Sequence, residues 1–393
     1  MLKPALLIII LSCTISTAFG YKLTSGSFSF YTETIQVDYN TDMFLTNHVE
    51  VKDDPIVDYY KLLEYSNYQV FLKNIQRQRE TLQLNDWLFF ELIQAAVTQL
   101  APDLPQNNKT LLVWFLASKA GWNTRLAYTN DNLFIYIQSD DEVFEVPMIE
   151  DNGQTFINVS HISRNKRKRV KQRAIYLLNF KPNPKGHSFQ FILKALPRLK
   201  PRISQKEILF HYGDQAYKIN INIDKNIKSI LGNYPLIAEK NYLEVEFSPT
   251  LKQSLLAQFK ILLAGKTEEE GLSFLAAFTR TGFHYKEDNE FFGMSKPMIA
   301  DEVFQYNYSD CEDRSALFFN LVKEIYHLPM LVITYPDHLT IAVSYDCPDG
   351  DIIQYKGKKY YVCDPTGPVN STRIGYIPSE YRSQKITIID EYR

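Results

Sequence analysis

Cysteine is scarce in this chain, with four in 393 residues. Cys13 falls inside an apolar leader, which leaves Cys311, Cys347 and Cys363 to the mature protein. Three thiols allow one bridge at most and at least one free sulfur, so a disulfide scaffold is excluded as the main source of stability. Cys347 could pair with Cys363, leaving Cys311 free. Long apolar runs are equally scarce. After residue 20 no stretch is long enough to cross a bilayer, so no transmembrane segment is expected. Excess charge is missing too: the net value is −2, which gives no electrostatic reason to bind nucleic acid. No CxxC or HxxxH spacing occurs, so neither a metal site nor a cofactor is expected.

Aromatic and aliphatic residues are abundant, 45% hydrophobic with 25 Phe and 26 Tyr, enough for sizeable cores. The first twenty residues pair Lys3 with the apolar run Ala5 to Leu11 and the small-x-small end Ala18-Phe19-Gly20. This is the form of a cleaved secretory signal, which predicts an exported protein, periplasmic or extracellular in a bacterium. Ile10-Leu11-Ser12-Cys13 also loosely resembles a lipoprotein box, so a lipid anchor at Cys13 is the secondary reading. The basic run Asn165 to Arg173 reads as a solvated linker between domains.

The chain divides by period. Ser27 to Tyr39 alternates as a strand, Pro55 to Leu100 is helical, and a further helix over 110–119 closes at Gly121. Strands follow over 124–128, 133–138, 144–149 and 155–159. From Ala174 to Phe247 five short apolar runs separated by turns suggest an antiparallel β module. Helices return from Leu251 and from Glu268 to Thr281; after a third helix come strands at 330–334, 339–345, 352–355 and 359–363. The fold class is α+β. The expected domains are 1–20 signal, 21–165 an α+β domain, 166–250 the β module, and 251–393 a second α+β domain.

Chemistry concentrates at that third helix, Y-S-D-C-E-D-R-S-A-L-F-F-N-L-V from Tyr308 to Val322. Ser309 reads as its N-cap with Glu312 three residues on, and Phe318, Leu321, Val322 and Ile325 as its buried stripe. Cys311 then lies in the first turn, where backbone N–H groups and the helix dipole favour a thiolate. Asp310, Glu312 and Asp313 oppose that. A thiol nucleophile needs an imidazole and a group to orient it. His327 is some four turns away on the same helix. His338 opens the strand L-T-I-A-V, and Asp364 ends the strand Y-Y-V-C, so helix start, strand start and strand end can meet at one sheet edge.

S-D-C-E-D-R-S, Y-P-D-H-L-T-I-A-V and K-Y-Y-V-C-D-P-T resemble the three motifs of the transglutaminase-like superfamily, a papain-like cysteine fold. The resemblance covers about 251–378. It implies a catalytic Cys311–His338–Asp364 triad acting on amides of a peptide or protein substrate, by hydrolysis or acyl transfer. Relatives commonly carry an upstream glutamine that helps form the oxyanion hole. Arg280 and Phe291 stand at the matching positions, so the donors implied are the Cys311 backbone N–H with Arg280 or Asn289. The resemblance also exposes an internal repeat: 127–137 aligns on 333–343 without gaps, and 153–160 on 357–364. Asn132 then falls on His338, Ser160 on Asp364, and the cysteine position near Pro105. Residues 55–162 are expected to be a degenerate copy without chemistry. The alternative for the whole chain is a binding or scaffold protein that keeps the fold after losing the reaction.

Overall fold

A computed structural model describes residues 23–162, 175–367 and 373–393. The first twenty residues with Cys13, expected to be a signal, and the basic run at 165–173 lie outside the described residues. Among those described, no helix is long and apolar enough to cross a membrane.

The chain is a mixture of helices and antiparallel sheet, built twice in the same order. The first half opens on a hairpin, β1 (Leu23–Phe30) and β2 (Glu33–Asn40). The alternation runs on through 27–39 without a turn residue, and so reads as one strand. The structure reverses at Tyr31, whose φ of 52° is left-handed. Three helices follow, α1 (Asp53–Glu64), α2 (Tyr68–Leu82) and α3 (Asp86–Leu100). Helix α4 (Gln106–Lys119) then leads into β3 (Thr124–Tyr128), β4 (Leu133–Gln138), β5 (Met148–Asp151) and β6 (Gln154–Asn158). The two-residue strand β7 (Tyr176–Leu177) completes a five-stranded sheet in the order β5-β6-β4-β3-β7.

The second half repeats this order. Its hairpin is β8 (Ile203–Tyr212) with β9 (Gln215–Asp224), and its helices are α5 (Pro249–Leu262) and α6 (Glu268–Thr281). Helix α6 starts on a capping box between Thr267 and Glu270, which satisfies two donors of its first turn. After β10 (His284–Tyr285) and β11 (Tyr308–Ser309), a parallel pair, comes α7 (Cys311–Ile325). The second sheet has the order β14-β15-β13-β12-β16, from β12 (Met330–Tyr335), β13 (His338–Val343), β14 (Ile352–Tyr355), β15 (Lys358–Val362) and β16 (Thr387–Tyr392).

The two sheets correspond residue by residue. Thr124 pairs with Ile137 as Met330 pairs with Val343, and Tyr128 with Leu133 as Thr334 with Leu339. Ile137 pairs with Ile157 as Val343 with Tyr361, and Tyr128 with Tyr176 as Thr334 with Thr387. A one-residue slip would turn every buried side chain outward, so equal registers mean equal inner faces. The hairpins also match: β1 packs on α3 and β2 on α2, while β8 packs on α6 and β9 on α5.

The five strands expected between 174 and 247 do not form a module. Hairpin β8–β9 stands alone as a two-stranded sheet, and Ile208, Phe210, Ile219, Ile221 and Ile223 bury in the core of the second half. The run S-F-Q-F-I-L alternates as a strand does, and Phe189, Phe191 and Leu193 are buried in the first core. Among the described residues its backbone nevertheless joins no sheet along that run. Gln190 N–H donates to Asp86 Oδ2 at 2.9 Å, Phe191 and Ile192 donate to Asp141 Oδ2, and Phe189 donates to the Gln138 carbonyl. Side-chain carboxylates do there what a neighbouring strand does elsewhere. Tyr242 and Leu243, expected in a strand, sit in the short helix Lys240–Leu243.

Candidate active site

Helix α7 begins at Cys311 itself, capped by Asp310 rather than Ser309. Asp310 accepts from the backbone of Asp313, and Asp313 Oδ2 accepts from Asp310 N–H at 3.2 Å. Asp310 takes the cap, and Ser309 Oγ is engaged by Arg314 Nε at 3.1 Å. The helix is buried almost all round, from Asp313 through Val322, and Ile325 is only partly covered.

Ser315, one turn after Cys311, donates to the Leu339 carbonyl at 3.1 Å. That contact fastens the cysteine face of α7 to the start of β13, where His338 stands. The Leu339 backbone lies against the thiol and favours its thiolate. His338 Nε2 is 3.3 Å from Asp364 Oδ2 and 3.2 Å from Thr366 Oγ1. Thr366 hydroxyl donates to Asp364 Oδ1 at 2.7 Å, its N–H to the same oxygen at 3.0 Å, and Thr340 Oγ1 donates to it at 3.3 Å. An ionised carboxylate only accepts, so Nε2–H is the proton the ring gives to Oδ2, and Nδ1 is left as the ring's acceptor. Tyr381 holds the ring flat against its own, 4.8 Å between centroids and 4° between planes.

Burial would raise the Asp364 carboxyl, but the His338 hydrogen bond and charge, then Thr366, outweigh it and keep the group below the usual carboxylate range. Cys311 is opposite. Burial, then the charge and hydrogen bond of Glu312, then Asp310, push the thiol well above its ordinary value. Its Sγ donates to Glu312 Oε2 at 2.9 Å and makes no hydrogen bond to His338. The resting group is therefore a thiol turned toward Glu312. Glu312→Gln is expected to speed alkylation of Cys311 by iodoacetamide at pH 7 about tenfold, a pKa drop of about one unit or ~1.4 kcal/mol. Cys347 and Cys363 are free thiols but 4% and 0% exposed, so the reagent reads Cys311. An unchanged rate would show that Glu312 does not hold the thiol down.

Arg280 donates Nε to the Asp364 carbonyl at 3.0 Å, and Nη2 to the same oxygen. It thus holds the turn that carries Asp364. Asn289 lies exposed on the short helix Asp288–Phe291. Among the described residues, Asp288, Asp310 and Asp313 form the one group with metal-ligand spacing, their oxygens within 4.8 Å. Burial first, then the charges of the neighbouring acids, raises both the Asp310 and the Asp313 carboxyls well above the usual carboxylate range. Asp313 Oδ1 meanwhile accepts from Met298 N–H at 2.8 Å.

A cavity of about 660 Å³ opens beside His338, Asp364, Thr366 and Tyr381. Cys311 is not in its wall, but Tyr285 and Tyr381, which are, stand close enough to feel the thiolate charge. Thr366, Tyr381 and Arg314 were not singled out from the sequence, and Glu312 was read only as the partner of a Ser309 cap and as an acid opposing the thiolate. Thr366 was visible in D-P-T, whereas Tyr381 reaches the site from a segment with no motif. In the first half, Pro105 precedes α4, Asn132 closes the β3–β4 turn by its bonds to Thr129, and Ser160 Oγ accepts from Ile135 N–H at 2.9 Å. No thiol or imidazole stands at those three positions.

No protein-family model, curated protein or solved structure matches this chain.

Proposed function

We propose that this is an exported cysteine-dependent amide hydrolase of transglutaminase-like type, with its chemistry in the second half and an inactive copy in the first. The observation that carries the reading is the His338–Asp364–Thr366 network held against the capped start of the Cys311 helix. Such a network serves a general base and has little purpose around a packing histidine. The exported character rests on the leader of the first twenty residues.

In this mechanism the substrate displaces Cys311 from Glu312, and His338 Nδ1 takes the thiol proton. Sγ attacks the carbonyl carbon, the C–N bond breaks, and the imidazolium gives its proton to the departing nitrogen. Water then adds to the thioester with its proton going to His338, the C–S bond breaks, and the thiol regains a proton. An amine in place of water would give acyl transfer by the same steps. Asp364 stabilises the imidazolium and does not itself take the proton. The oxyanion lies within reach of the first N–H groups of α7, which point out of the helix start.

A second reading, a scaffold that keeps the fold without the reaction, is favoured by the thiol's bond to Glu312 and its raised pKa. A thioester trap separates the two. The mature protein is incubated with a peptide-amide library and quenched in acid for intact mass measurement. An adduct on Cys311, absent from Cys311→Ala and removed by hydroxylamine, is the expected result. No adduct and no cleavage from any pool would leave the scaffold reading standing.

A further inference from the structure

Hairpin β8–β9 closes on the turn Gly213-Asp214, with Tyr212 opposite Gln215. In such a ladder alternate residues turn N–H and C=O to the partner strand, and the residues between turn them away. His211 is one of those turned away. Its N–H donates to Thr281 Oγ1 at 2.8 Å, and its carbonyl lies 3.1 Å from the same hydroxyl. By the period of two, Leu209 and Glu207 present their backbone groups along that same edge. Among the described residues those groups have no hydrogen-bond partner. In the first half Ser29 stands where His211 does, and Gln99 at the end of α3 meets both its groups, at 2.9 and 2.8 Å. Beyond that point the halves part. Residues 101–105 alone join α3 to α4, whereas residues 282–310 separate α6 from α7. The longer connection lays residues 282–284 and 306–308 opposite residues 206–209, with a slot of about 270 Å³ between them. Lys206 ties the walls together, giving Nζ to the Phe304 and Tyr306 carbonyls at 2.8 and 2.7 Å. In the far wall His284 N–H donates to the Asn307 carbonyl, and the Phe283 carbonyl accepts from Arg314. The unmet backbone of the slot therefore belongs to β8.

We propose that this slot seats an extended peptide, which adds as a strand to β8 through the backbone groups of Glu207 and Leu209. A free edge is matched by another strand, because only a strand offers donors and acceptors at the same repeat. Glu207 is already paired with Lys218 at 2.5 Å, and Leu209 is exposed, so the main chain rather than charge does the recognising. The slot adjoins the His338 cavity, since Phe283 and His284 stand in the walls of both. The connection that builds it lies in the half that carries the thiol, directly before the Cys311 helix. The substrate class is then a polypeptide in extended form rather than a small amide. That the seated peptide is a substrate rests on the hydrolase reading; the pairing itself does not.

The test is residue-resolved amide exchange on the native mature chain. Without peptide, the Glu207 and Leu209 amides should exchange fast while Ile208 and Phe210, which face β9, are protected. Acetyl-Ser-Thr-Val-Thr-Val-Ser-amide at millimolar concentration should slow Glu207 and Leu209 at least about tenfold. The same peptide N-methylated at every residue has no N–H to give and should leave both unchanged. Leu209→Pro removes an N–H that holds no ladder bond, a change edge strands accept. It should weaken the peptide about fivefold, the worth of one hydrogen bond. Should that chain not fold, the methylated peptide makes the same comparison on the native one. Unchanged exchange with the unmethylated peptide, or equal protection by the methylated one, overturns the proposal. Slow exchange at Glu207 and Leu209 before any peptide is added also overturns it. Loss of that slow exchange on dilution would assign the edge to a second copy, and its persistence to a segment of the chain itself. The two readings fail separately. Protection retained in a chain whose Cys311 forms no thioester removes the hydrolase and keeps the strand site, and a thioester without protection does the opposite.

Discussion

His338→Ala is expected to lower turnover of any cleaved amide by about 10²–10⁴-fold, the usual contribution of a positioned acid–base group. The change should fall on kcat, because the ring holds no substrate group until the thiol proton moves. Folding should change far less. The imidazole lies at the rim of the second sheet against Tyr381, and β13 keeps its registers with β12 and β15. Asp364→Asn is the companion test. An amide there can present its N–H to Nε2 and reverse the tautomer, which would leave Nδ1 protonated and unable to accept from sulfur. The Thr366 and Thr340 bonds to Oδ1 would still hold the side chain in place. Turnover of the His338→Ala protein within a fewfold of native would mean that another group moves the proton, and Glu312 would then be the base to examine.

Phe210→Ala should produce the largest loss of stability, about 3–5 kcal/mol. Its ring is fully buried and meets Phe274 and Phe278 edge-on at 5.3 and 5.1 Å, with Tyr217 stacked beside it. It is the main anchor of hairpin β8–β9 on α6. All three tryptophans, Trp87, Trp114 and Trp122, belong to the core of the first half. Tryptophan fluorescence therefore follows that half, and far-ultraviolet circular dichroism follows both. Denaturation of Phe210→Ala should show a circular-dichroism transition moved to lower denaturant, with the fluorescence transition moved much less. Equal displacement of both would mean that the halves unfold as one cooperative unit. A loss under about 1 kcal/mol would mean that the hairpin is not part of the second core.

Legibility followed the range of the interactions. Helix α6 was readable from Glu268 to Thr281 because Leu272, Leu275 and Phe278 repeat at helical spacing within a few residues. The pairs β3–β4 and β12–β13 were readable because alternation and a tight turn are local, and so was the alignment between them. The single strand expected over 27–39 hid a reversal, because Tyr31 adopts a left-handed backbone with no glycine or asparagine to announce it. The 187–193 run reads as a strand by every local criterion. It is held instead by Asp86 and Asp141, far away in the chain. Strand β16 escaped notice although it pairs along most of β12, since its residues are only half covered.

By itself the sequence determined the α+β character, the doubled order of helix and sheet-forming strands, and the short list Cys311, His338 and Asp364. Each of these depends on period, capping or spacing between near neighbours, which the order of residues carries directly. Tertiary structure alone decided which carboxylates gather beside the thiol, that the resting thiol faces Glu312 rather than His338, and that Arg280 and Arg314 stand in one cavity wall. Those are sums over groups brought together from α6, α7, β13 and the turn after β15. In a buried site a few ångströms and the loss of water change the charge state, and neither can be counted along a chain.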